Sequence, residues 1–113
     1  MTKILDVMKA ETVAAINAAK LSLIGSTRGE SKDPETAAVT PYVKVEVEVA
    51  KGYGGYSRKR FTAKVSTDKI LVADEALERE DYVVSFKNLS ISYIDEKGNV
   101  YFRADDYSVK KEV

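Results

Sequence analysis

The clearest pattern in the chain is an alternation over residues 42–49. Val43, Val45, Val47 and Val49 fall on one side, and Tyr42, Lys44, Glu46 and Glu48 on the other. A period of two with β-branched residues on one side predicts a strand with one face in a core and the other in solvent. A second alternating run sets Phe61, Ala63 and Val65 against Arg60, Thr62, Lys64 and Ser66. Together they predict an antiparallel hairpin over Tyr42–Ser66. Its connection, KGYGGYSRKR, mixes glycine, tyrosine and positive charge. The outward side of the return strand is expected to carry Arg58, Arg60 and Lys64.

Upstream, residues 3–24 place Ile4, Leu5, Met8, Val13, Ile16 and Leu23 at the spacing of an amphipathic helix. Thr2 suits its cap, and Asp6 suits the positive end of the helix dipole. Glu11 and Thr12 interrupt the apolar stripe and mark a candidate break. Lys20–Ile24 alternates and also fits a short strand. Residues 25–41 hold two Gly, two Pro and several Ser and Thr, which predicts a long surface loop. Downstream of the hairpin, Ile70–Val72 reads as a short third strand. Residues 74–80, DEALERE, read as a short helix with acids at its start. Tyr82–Ile94 reads as a strand whose alternation slips at Lys87–Asn88, a bulge signature. Asp95–Asn99 is a turn with Gly98 available for positive φ, and Val100–Val109 is the last strand.

The order is strand, strand, strand, short helix, strand, strand, which is that of the OB-fold, a small closed or nearly closed barrel. The expected class is therefore mainly β: a five-stranded OB-fold-like barrel, a short helix between strands 3 and 4, and an N-terminal helical segment. It divides a single 1–113 domain into a helical segment (1–24), a loop (25–41) and the barrel (42–113). An open antiparallel sheet with the helix across one face has the same periodicity. The helical segment suits either a dimerisation element or a cover for its own barrel.

Composition narrows the chemistry. At 113 residues the chain has length for one domain with a core. It contains no cysteine, which removes disulfides, thiolate metal sites and cysteine nucleophiles, and no histidine, the usual general base at neutral pH. The carboxylate pairs Asp74–Glu75 and Asp105–Asp106 are adjacent in sequence, and neighbours on a strand point to opposite faces, so neither is expected to share a metal ion. No catalytic residue, cofactor or metal is expected. Asp6, Lys9 and Glu11 interrupt the apolar core an export signal would need, and no apolar run approaches about 20 residues, the length of a membrane span. A cytoplasmic protein with no membrane partner is expected.

Charge and aromatics are unevenly placed. The formal net charge is +0, yet Tyr42–Ser66 carries six cations against two carboxylates, +4, leaving −4 elsewhere. All 7 Tyr and 3 Phe lie at or beyond Tyr42. Single-stranded nucleic acid is held by cations along its backbone and flat rings against its bases. Lys44, Lys51, Arg58, Lys59, Arg60 and Lys64 supply the first, and Tyr53 and Tyr56 the second. Tyr101 and Arg103 on the last strand extend this candidate surface, whereas Tyr93 and Tyr107 are expected in ordinary cross-strand or core packing.

The strand order, the hairpin YVKVEVEVAKGYGGYSRKRFTAKVS and the ending GNVYFRADDYSVKK resemble small phage-encoded single-stranded DNA-binding proteins, of the kind found in phages of lactic-acid bacteria. The resemblance spans roughly residues 42–110. It implies an OB-fold, a homo-oligomer (dimer or higher), and sequence-independent coating of single-stranded DNA in replication or recombination, with replication or recombination proteins as further partners. The chain departs from cellular proteins of this type in having no tryptophan and in ending Val109-Lys110-Lys111-Glu112-Val113 instead of in a long acidic tail. The competing expectation is a protein-interaction or structural module without nucleic-acid binding.

Overall fold

The valines of the first alternating run form the wall of the core. In the computed structural model, which describes residues 4–97 and 99–112, Val43, Val45, Val47 and Val49 are fully buried. The expected roles of Thr2 and Gly98 lie outside the described residues. The elements are α1 (Ile4–Ala18), β1 (Leu21–Lys32), β2 (Val39–Val49), β3 (Arg60–Val65), α2 (Asp74–Leu77), β4 (Tyr82–Lys87), β5 (Ser90–Ile94), β6 (Val100–Ala104) and β7 (Asp106–Lys111). The fold is mainly β. Among the described residues, seven strands form one mixed sheet, in the order β5-β6-β3-β2-β1-β4-β7. Every pairing is antiparallel except β3 with β6.

This corrects the expected five strands. The strand expected over residues 82–94 ends at Lys87, where Asn88 takes a positive φ of 54°, and resumes at Ser90. The last strand is interrupted at Asp105, which lies across the sheet from that break: its amide donates to the Lys87 carbonyl, and its carboxylate accepts from Asn88 Nδ2 at 2.7 Å. The two breaks thus coincide and let one long hairpin bend. By hydrogen-bonded order the sheet is open, with β5 and β7 as its ends.

The largest correction concerns residues 25–41. In place of a loop, β1 runs from Leu21 to Lys32, a tight turn follows, and β2 begins at Val39. Ser, Thr, Gly and charge hid this strand because its far half extends beyond β3 and is solvated on both faces. A register shift between Leu23 and Gly25 changes which side chains face inward. Before it, Leu21 and Leu23 are buried; after it, Ser26 and Arg28 pair with inward Val45 and Val43, and Thr27 and Gly29 join the outer face. Strict alternation fails across such a shift.

Ile70–Val72 forms no strand, because both neighbours of β3 are already taken by β2 and β6. Val72 is buried there, and Tyr107 fixes the segment: its hydroxyl accepts from the Leu71 amide and donates to the Lys69 carbonyl, both at 2.9 Å. The expected core role of Tyr107 holds. α2 is shorter than residues 74–80, and α1 is continuous through Glu11 and Thr12. Ile16 of α1 is buried in the core, with Val13 packed against it. Inside, Phe61 of β3 meets Phe102 of β6 and Phe86 of β4, with ring centroids 4.6 and 6.4 Å away. β3 and β4 are not sheet neighbours, so the sheet curls around a shared core. Among the described residues no helix is long and apolar enough to cross a membrane.

Candidate nucleic-acid interface

Nine of the ten candidate residues divide into two groups. One group lies on the outer face of the sheet, where alternation sends Lys44, Lys64, Tyr101 and Arg103 away from the core. Cross-strand register places Lys44 opposite Lys64, and the parallel β3–β6 pairing places Lys64 opposite Arg103. The row continues to Thr27 on one side and Ser90 on the other. Three cations from three strands therefore stand side by side, across two strand spacings or roughly 10 Å. Each is exposed, no carboxylate stands opposite any of them, and none forms an ion pair among the described residues. Like charges directly opposite are unfavourable in a sheet, and this row contains two such pairs.

Aromatic rings flank the row at both ends. On one side Tyr42 lies over Gly29, whose missing Cβ leaves the space: a Cβ there would sit 2.5 Å from the Tyr42 ring. Lys64 Nζ lies 4.3 Å from the same ring's centroid and donates to Ser31 Oγ at 2.9 Å. This contact holds the ammonium in place beside Arg103. On the other side Tyr101 stacks on Tyr93, directly across the β5–β6 pair, with centroids 4.4 Å apart and planes within 15°. Both rings are exposed, 55% for Tyr93 and 40% for Tyr101, so an outer face remains open to a flat ligand. Tyr93 thus forms a cross-strand pair, one of the two arrangements expected of it, and the pair lies on the surface.

The Tyr101 hydroxyl is fixed by Asp95, 3.2 Å away. That hydrogen bond, with the carboxylate's charge, raises the phenol's pKa above the usual tyrosine value. Asp95 is itself held below its usual range, chiefly by the Asn99 side chain and then by the Asn99 amide. The turn between β5 and β6 thus orients the stacked pair.

The second group sits on the connection between β2 and β3. Lys51, Tyr53, Tyr56, Arg58 and Lys59 are all exposed, but the loop is structured. Its base is closed by Arg58 N–H to the Val49 carbonyl at 2.7 Å and Val49 N–H to the Lys59 carbonyl at 2.9 Å. Arg58 lies in this turn at a φ of 61°, not on the return strand. Ser57 Oγ accepts from the Tyr53 amide, and the Tyr56 hydroxyl lies 3.4 Å from Thr12 Oγ1 of α1. The loop is thereby folded toward the N-terminal helix.

Arg60 separates the groups and belongs to neither. It stands opposite Glu48 and pairs with it at 3.2 Å. From this pair to Lys44 is four residues of β2, about 13 Å, with Glu46 between. The candidate residues therefore do not converge on the hairpin tip. What does converge is Lys44, Lys64 and Arg103 with Tyr42 and the Tyr93–Tyr101 stack. Tyr42 and Tyr93 were missed as candidates. The outward position of Tyr42 was legible in the alternation, but its partner Gly29 lies in the segment read as loop. No protein family, characterised protein or solved structure matches this chain.

Proposed function

We propose that the chain binds single-stranded DNA without sequence preference, on the outer face of β2, β3 and β6, by phosphate contacts and base stacking. The observation that carries this reading is the in-register row Lys44–Lys64–Arg103, unopposed by acids and bordered by half-buried Tyr42 and the exposed Tyr93–Tyr101 stack. A polyanion relieves the mutual repulsion of the row, and the exposed Tyr93–Tyr101 stack offers a face to bases of any identity. The loop cations Lys51, Arg58 and Lys59, with Tyr53 and Tyr56, extend the path in this reading.

We further propose that the sheet is of OB type, which favours the same function. β4 and β5 continue one another across Asn88–Leu89, and β6 and β7 across Asp105. Counted as two bent strands, they give a sheet in which the first strand pairs with the fourth, the fourth with the fifth, and the fifth with the third. We infer from this count the strand order of a five-stranded barrel, and such barrels bind oligonucleotides over the face of strands 2 and 3. In this count strands 2 and 3 are β2 and β3, which carry Lys44 and Lys64. We read the chain as non-catalytic and as serving DNA replication or recombination in a phage, within a host cytoplasm.

The test is tyrosine fluorescence on titration with poly(dT), beside a gel shift against single- and double-stranded oligonucleotides. Quenching reversed by salt, with preference for the single strand, supports the reading. No response in either assay refutes it and leaves a protein-interaction module.

A further inference from the structure

Gly29 stands within a regular strand pair, opposite Tyr42, where a glycine weakens the sheet and contributes no side chain. Its backbone does not call for glycine: among the described residues the positive-φ glycines are Gly52 and Gly54. What the position uses is the missing Cβ. The distal part of the Tyr42 side chain fills that space, and a Cβ would come 2.5 Å from its Cζ and 2.6 Å from its Cε1 and hydroxyl oxygen. All three atoms lie at the far end of one side chain. An added methyl is therefore accommodated by swinging the ring aside, with the strand left in place.

That ring is the platform on which Lys64 crosses the sheet. Lys64 belongs to β3, and the hydroxyl it donates to, Ser31 Oγ, belongs to β1. β2 lies between them and contributes Tyr42, whose ring centroid is 4.3 Å from the Lys64 Nζ. Lys44 and Arg103 flank Lys64 in register and repel its ammonium. The ring and Ser31 hold it against that repulsion. Held there, Lys64 joins Tyr42, Ser66 and Arg103 in lining a cavity of about 160 Å³ that no carboxylate lines. A ring displaced by a Cβ at position 29 gives up the platform and crowds the path to Ser31. Lys64 then regains its rotamer freedom, which binding must remove again.

We propose that Gly29 is a positioning residue of this surface: through Tyr42 it sets where Lys64 meets a phosphate, without touching the ligand itself. The proposal rests on the reading of the row as the site for single-stranded DNA. The variant is Gly29→Ala, and its first test needs no ligand. In wild type the Tyr42 ring current moves the Lys64 side-chain methylene signals upfield in a carbon–proton correlation spectrum; in Gly29→Ala that shift is expected to disappear. With labelled oligothymidylate, Gly29→Ala is expected to bind about two- to tenfold more weakly at each salt concentration. The slope against salt should stay as in wild type, because every cation is retained, whereas a lost phosphate contact would flatten it. In a Tyr42→Ser background no ring remains to displace, and Gly29→Ala is expected to change affinity by less than about twofold. A Lys64 shift absent from wild type, or retained in Gly29→Ala, overturns the proposal. So does an affinity unchanged by Gly29→Ala, or lowered equally with and without Tyr42. These outcomes leave the function standing. A wild-type chain that shows the shift but binds no oligothymidylate refutes the function itself, and the role of Gly29 falls with it.

Discussion

Removing two of the three cations in the outer-face row should change how binding responds to salt. The variant is Lys64→Ala with Arg103→Ala. Both side chains are exposed and neither is in an ion pair among the described residues, so the fold should tolerate their loss. Each phosphate contact on a single strand contributes about 0.7 to the slope of log affinity against log salt. Losing two should flatten that slope by about 1.4. If the electrostatic part vanishes near 1 M salt, the same two contacts contribute about 25-fold in affinity at 0.1 M. Anisotropy titration of a labelled oligothymidylate across a series of NaCl concentrations reads both quantities. Arg60→Ala is the internal control: because Glu48 already neutralises this arginine, its effect on the slope should be much smaller. Parallel lines for wild type and the double variant would refute the placement of the interface. If Arg58→Ala with Lys59→Ala accounts for the slope instead, the interface lies on the β2–β3 loop.

Other perturbations probe the framework. Val47→Ala removes two methyl groups from a fully buried position and should cost about 2 kcal/mol in urea unfolding, from lost transfer energy plus a partial cavity. Tyr107→Phe leaves the Leu71 amide and the Lys69 carbonyl without their shared partner; about 1–3 kcal/mol should be lost, with little change in ligand affinity. Asp95→Asn should bring the Tyr101 phenol back toward its usual pKa, as followed by ultraviolet pH titration, because the carboxylate is what raises it. Asp95 is depressed in the fold, so its stabilisation of the β5–β6 turn is present above the usual aspartate pKa and is lost as pH falls through its own lowered value. Wild type should lose that stabilisation on acidification, whereas the Asn variant should show no such step.

The local signals in this sequence were strong where one face is buried. The valines at 43–49 and the Phe61, Ala63, Val65 run have a two-residue period because burial demands it, and both strands formed as expected. The cations on their outer faces followed from the same alternation. The start of β1 showed in the alternation of Lys20–Ile24, but the rest was illegible for the converse reason: a strand solvated on both faces of its far half has no hydrophobic period to display, and the shift at Leu23/Gly25 breaks the alternation. The division of the last two strands was half visible, since the slip at Lys87–Asn88 marks the site, but the matching break at Asp105 arises only from the hydrogen bonds between them.

The sequence by itself therefore determined the β character, the core valines, the outward direction of Lys44, Lys64 and Arg103, and the absence of histidine and cysteine chemistry. Only the tertiary structure decided which of those cations meet. Lys64 and Arg103 are 39 positions apart and become neighbours through the parallel pairing of β3 with β6. The hairpin loop, dense in charge along the chain, ends up separated from that row by the Arg60–Glu48 pair. Alternation is a local property and assigns a face to each side chain. Register between distant strands is set by how the whole sheet closes on its core, and it is register that gathers separate charges into a surface.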